Sequence, residues 1–83
     1  MTLEQVYQVE QFALDVQMAA YDHFDVDCCP LDDAEYEEMV KYIIDMVRKT
    51  NWTDLLTEEC VDIADSVNAH MAADAFDRIV NGK

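Results

Sequence analysis

The sequence predicts an all-α fold, a compact three-helix bundle, and three observations predict it. Apolar residues recur at steps of three and four through most of the 83 positions, the spacing of a helix face and not of a strand. A single Gly and a single Pro leave too few tight turns for a strand-and-turn architecture. Hydrophobic residues make up 52% of the chain, which excludes the charged, apolar-poor composition of a disordered segment. The length points to one domain over residues 1–83. A fourth, short helix near Trp52 is an alternative within the same class.

The first helix is expected from about residue 3 to residue 24. Thr2 caps it, with Gln5 three positions on to complete a capping box. Leu3, Val6, Val9, Ala13, Val16, Ala20 and Phe24 form its apolar stripe, widened by Tyr7, Leu14, Met18 and Tyr21, opposite Glu4, Gln8, Gln11, Asp15 and Asp22. Asp25 to Leu31 is a break, because Pro30 does not fit a helix interior and pushes Cys29 toward an extended backbone. Asp32 or Asp33 then caps a second helix running to about Lys49, with Glu35 completing a box from Asp32 and with Arg48 and Lys49 suiting its C-terminal dipole. Its inner face is Tyr36, Met39, Val40, Ile43, Met46 and Val47. Thr50 to Leu56 reads as a connector with room for one helical turn after Thr53. Thr57 caps a third helix that continues to Gly82, with Val61, Ala64, Val67, Met71, Ala75 and Ile79 facing inward.

Charge sets the next bound. The chain holds 19 acids and 5 bases, a net −14, so it has little attraction for nucleic acid or an anionic membrane. The longest apolar run, Met18 to Tyr21, is four residues, so neither a membrane span nor a signal peptide is expected. Three cysteines, with Cys28 and Cys29 adjacent, are odd in number and poorly spaced for a secreted scaffold; they read as free thiols of a cytoplasmic protein.

The acids are unevenly placed. Residues 1–40 hold 11 acids and no base, and eight acids fall between Asp22 and Glu38. The remaining half places bases where they serve helix pairs, Glu37 with Lys41, Asp45 with Lys49 and Asp74 with Arg78. Asp32, Asp33 and Glu35 suit a helix N-terminus, whereas Asp22, Asp25 and Asp27 lie at a helix end that disfavours them. A solvated acidic face is one explanation. The other is a decoy for phosphates: carboxylates three or four apart on a helix lie about 5–6 Å apart, close to the phosphate step of a nucleic-acid strand. The stripes Glu4, Gln8, Gln11, Asp15, Asp22 and Glu58, Asp62, Asp65 offer such a lattice.

In size, helicity and charge the whole chain resembles the small acidic proteins that phages make against host defences. That class includes nucleic-acid mimics directed at restriction enzymes, CRISPR effector complexes, or nucleoid and transcription proteins. The resemblance rests on the 22–38 acid run and the two acidic stripes. It implies a non-enzymatic inhibitor that acts by occupancy in a host cytoplasm, docking on a basic, nucleic-acid-binding protein. The candidate partner-binding residues are Asp15, Asp22, Asp25, Asp27, Asp32, Asp33, Glu35, Glu37 and Glu38. The competing reading is a helical adaptor that assembles through apolar helix faces, with charge serving solubility; a homodimer through the first helix belongs to that reading.

Other chemistries are weakly supported. Asp65-Ser66-Val67 echoes the Asp-Ser-Leu of acyl carrier proteins but differs in its third residue and lies inside the last predicted helix, with too little chain after it. His23, Asp25, Asp27, Cys28 and Cys29 resemble a metal cluster, yet adjacent cysteines reach one tetrahedron poorly. An EF-hand loop starting at Asp25 places Pro30 where Gly is required and Tyr36 where Glu is required. A thiol nucleophile wants an electropositive setting, the reverse of this chain. No cofactor, metal or catalytic residue is therefore assigned. Tyr7, Tyr21 and Trp52 are the aromatic candidates for anchoring an interface.

Overall fold

The computed structural model describes residues 1–26 and 31–82. Four α-helices follow in order, α1 Leu3–His23, α2 Asp33–Lys49, α3 Glu58–Ser66 and α4 His70–Asn81, with a 3₁₀ turn at Thr53–Leu55 between α2 and α3. No strand occurs among the described residues. The predicted start signals hold. Thr2 and Gln5 form a reciprocal capping box on α1, Asp32 and Glu35 another on α2, and the Thr57 hydroxyl accepts from the Cys60 amide at the head of α3. Each satisfies helix-end amides that have no partner within the helix.

The predicted third helix is two helices. The chain turns at Val67–Ala69, where Asn68 adopts a positive φ of 67°. The Ala69 amide donates to the Ala64 carbonyl at 3.0 Å and the Asn68 amide to the Asp65 carbonyl at 3.1 Å, the paired bonds of a Schellman motif. The same device closes α1. Asp25 has a φ of 53°, and the Val26 and Asp25 amides donate to the Tyr21 and Asp22 carbonyls. At the end of α2, Asn51 has a φ of 65° and the Trp52 amide reaches the Val47 carbonyl at 3.4 Å. A chain with a single glycine thus makes its left-handed turns with Asn and Asp, whose short polar side chains tolerate that region best after Gly. In each case the next residue, Val26, Trp52 or Ala69, carries its side chain into or against the core. Gly82 caps α4 in an extended conformation. A β-carbon there would fall 2.0 Å from the Arg78 carbonyl oxygen, so the position requires glycine as the backbone stands.

Side-chain pairs fix how the helices run. Phe12 stacks on Trp52 with ring centroids 4.1 Å apart, and His23 on Tyr42 at 4.2 Å, so α1 runs antiparallel to α2. Gln17 touches Met71 and Phe12 stacks on Phe76 at 5.8 Å, so α1 is antiparallel to α4 as well. Tyr36 meets Asp74 and Glu37 meets Arg78, so α2 and α4 lie side by side in the same direction. α4 is the central element: Met71, Ala72, Ala73, Ala75 and Phe76 are all buried, and it packs against each of the other three helices. Its alanines let three neighbours approach closely, while Phe76, Met39 and Ile43 fill the space between. Burying each of those large side chains contributes about 1.5–3 kcal/mol. The radius of gyration, 12.0 Å, is close to the roughly 12 Å expected of a compact chain of this length.

Candidate functional site

Antiparallel packing brings the end of α1 and the start of α2 to one end of the molecule. Tyr21, Leu31 and Tyr36 line a common cleft there, and Val26 and Leu31 both pack against the core. Asp22, Asp25, Asp32, Asp33 and Glu35 are exposed at that end. Asp15 lies two turns back on the outward face of α1, where its carboxylate accepts from Gln11 Nε2 at 3.1 Å. Glu38 is exposed on α2. Asp27, with Cys28 and Cys29, lies outside the described residues.

Several of these acids have work inside the molecule. Asp32 and Glu35 hold each other's backbone amides at 2.7 and 3.2 Å. Asp25 supplies the left-handed residue that ends α1, which gives it a structural reason that its place at a helix C-terminus hid. Glu37 turns toward α4 and takes both guanidinium nitrogens of Arg78, with Nη2 at 2.9 Å. The pairs expected within helices are therefore revised. Asp45–Lys49 forms, at 2.9 Å, but Arg78 bonds Glu37 across the helix interface and not Asp74. Asp74 instead accepts the Tyr36 hydroxyl. The Arg78 guanidinium holds the Glu37 carboxyl below the usual carboxylate range. Burial, then the bond to Asp74, push the Tyr36 phenol well above its ordinary value.

Lys41, Arg48 and Arg78 line a groove between the C-terminal parts of α2 and α4, over Ile44 and Ile79 and beside Asp45. Away from it, Glu4, Glu10, Asp15, Asp22, Asp25, Asp32, Asp33, Glu35 and Glu38 have no cationic group within salt-bridge distance among the described residues. On the opposite hairpin, Glu58 and Asp62 of the second predicted stripe line a shallow cleft with Asp77. Asp65 lies 3.9 Å from His70.

The remaining described candidates make local contacts. His23 is sandwiched against Tyr42 and the edge of Phe24. Ser66 ends α3, not the middle of a helix, and its hydroxyl donates to the Ile63 carbonyl at 2.8 Å. Cys60 is a buried free thiol. Among the described residues no three His, Cys, Asp or Glu side chains are grouped to hold a metal ion, and no helix is long and apolar enough to cross a membrane. Trp52 is spent on the Phe12 stack, whereas Tyr7 stands 66% exposed. Sequence reasoning missed Gln17: its Oε1 accepts from the Met71 amide at 3.0 Å and the Ala72 amide at 3.5 Å. These are the second and third amides of α4, whose own N-cap, Ala69, has no side chain to offer them. Comparison with protein-family models, with curated proteins and with solved structures gives no match to this chain.

Proposed function

We propose that the protein is a non-enzymatic binding protein whose acidic N-terminal half docks on a basic surface of a larger protein. The surface it takes is one built for nucleic acid, as in a restriction, CRISPR or transcription complex. The observation that carries this reading is the uneven placing of charge: nine exposed or half-exposed carboxylates of residues 1–40 have no cation within salt-bridge distance among the described residues, while three of the four described Lys and Arg side chains line the α2–α4 groove. A surface shaped for solubility alone interleaves the two signs. Unpaired carboxylates concentrated in one half of the chain favour encounter with a cationic groove.

Capture of partners from host extract at low and at high salt tests it. The expected partner binds nucleic acid, is released as salt rises, and is competed by DNA or RNA. Recovery of acidic partners alone, indifferent to salt, overturns it. Replacing Asp15, Asp22, Asp33 and Glu38 together by Lys is expected to abolish capture without unfolding the chain, since none of the four makes an ion pair among the described residues.

A further inference from the structure

One exposed surface is apolar. Leu3, Tyr7, Leu14 and Met18 of α1 are 89, 66, 38 and 64% exposed, and none belongs to the buried core. At about 100° per residue the four fall within about 60° of one another around the helix, turned about 140° from the core face of Val9, Ala13, Val16 and Ala20. The stripe runs roughly 22 Å along the axis. Single exposed apolar residues are ordinary, but four aligned on one helix face mark an interaction surface. Glu4, Asp15 and Asp22 border the stripe on one side and Glu10 on the other, and no Lys or Arg occurs between residues 1 and 40. An apolar centre within a charged rim is the layout of a protein interface.

Resting on the reading that the acidic half meets a cationic partner, the geometry points to the outer face of α1 as the centre of that interface. The partner segment it fits is an amphipathic cationic helix, an apolar ridge flanked by Lys or Arg. Phosphate mimicry alone leaves Leu3, Tyr7, Leu14 and Met18 without a role, whereas such a ridge covers them and pairs the rim. A second copy of α1 would set Glu4, Glu10, Asp15 and Asp22 against their own kind, and an anionic membrane repels them equally. The α2–α4 groove of another copy is a poor substitute, because Asp45 lines it and Glu37 already holds Arg78.

Two synthetic helical peptides of about 15 residues, matching the stripe in length, test the inference at low ionic strength. One carries Leu on one face and Lys on the other; its control has the same charge with Gln in place of Leu. The expected result is that the Lys/Leu peptide shifts the backbone amide resonances of residues 3–18. It binds at least about tenfold more tightly than the control, and the Leu14→Gln/Met18→Gln variant loses about that factor. Both substitutions are at exposed positions, and an unchanged circular dichroism spectrum confirms that the variant is folded. Equal binding of the two peptides, untouched by the variant, overturns the apolar interface and leaves acidic docking standing. Binding of neither overturns both readings. Self-association through α1 in sedimentation overturns the cationic partner in favour of a second copy.

Discussion

Asp25 and Asn68 do the work that glycine does in most helical proteins, and they carry its cost. A left-handed conformation costs a residue with a β-carbon about 1–2 kcal/mol, less for Asn and Asp. Asp25 adds a negative charge at the C-terminal end of α1, where the helix dipole disfavours it. Asp25→Gly is therefore expected to stabilise the fold by about 1 kcal/mol in urea unfolding. If Asp25 belongs to the docking surface, the same variant binds the partner less well, and a more stable, weaker binder separates the two roles. Asn68→Ala is expected to destabilise by about 1 kcal/mol, with Asn68→Gly restoring or exceeding the original stability. Gln17→Ala removes the only side-chain acceptor at the head of α4 among the described residues, with an expected loss of about 0.5–2 kcal/mol and faster exchange of the Met71 and Ala72 amides. Unchanged protection of those two amides would show that the cap is not formed in solution.

The pairing of α2 with α4 rests on Val40, Ile43, Phe76 and their neighbours within, and on Tyr36–Asp74 and Glu37–Arg78 at the rim. The rim is partly exposed, so it fixes which residues face each other more than it adds stability. Its titration has a definite sign. The folded Tyr36 phenol binds its proton more tightly than the unfolded one, so its contribution is complete below the unfolded value near pH 10 and is lost as pH rises toward the folded one. Stability of the wild type is expected to fall above about pH 10 more steeply than that of Tyr36→Phe, and parallel curves would deny the bond. The Glu37 carboxyl runs the other way: its pairing stabilises above the ordinary carboxylate range and is lost on acidification. The capping boxes were legible because donor and acceptor lie three residues apart, and so was the inner face of α2 from its spacing; of the stripe expected on α1, Val9, Ala13, Val16 and Ala20 are buried while Leu3 is exposed. The break at Asn68 was not, because Val67, Met71 and Ala75 keep helical spacing straight through the turn. Arg78 has Asp74 four residues before it, and only the side-by-side packing of α2 and α4 brings Glu37 closer. Gln17 caps amides 54 and 55 positions away, beyond any local pattern. The acids of the candidate surface were legible as a run in sequence. The exposed apolar stripe of α1 was not separable from its core stripe, because both recur at the same steps, and only burial divides them.

For the molecule as a whole, charge opposes folding and, in the proposed docking, favours binding, so one variable is expected to move the two in opposite directions. The chain carries −14 on a body of 35 × 25 × 19 Å. The described ion pairs are Asp45–Lys49, Glu37–Arg78 and, when His70 is protonated, Asp65–His70. At about 10 mM ionic strength the screening length is about 30 Å, so each carboxylate feels nearly the whole molecule; at about 0.1 M it falls to about 10 Å, and distant repulsions fade. Moderate salt is therefore expected to raise the melting temperature at neutral pH. A relief of about 1 kcal/mol corresponds to roughly 4–8 °C for a domain of this size. Binding to a cationic partner is expected to weaken over the same range, because screening removes the attraction between the acidic rim and its counterpart. Thermal melts and binding isotherms on the same samples read both. A melting temperature that falls with salt would mean that the few ion pairs outweigh the repulsion, and the segregated acids would then need no partner to account for them.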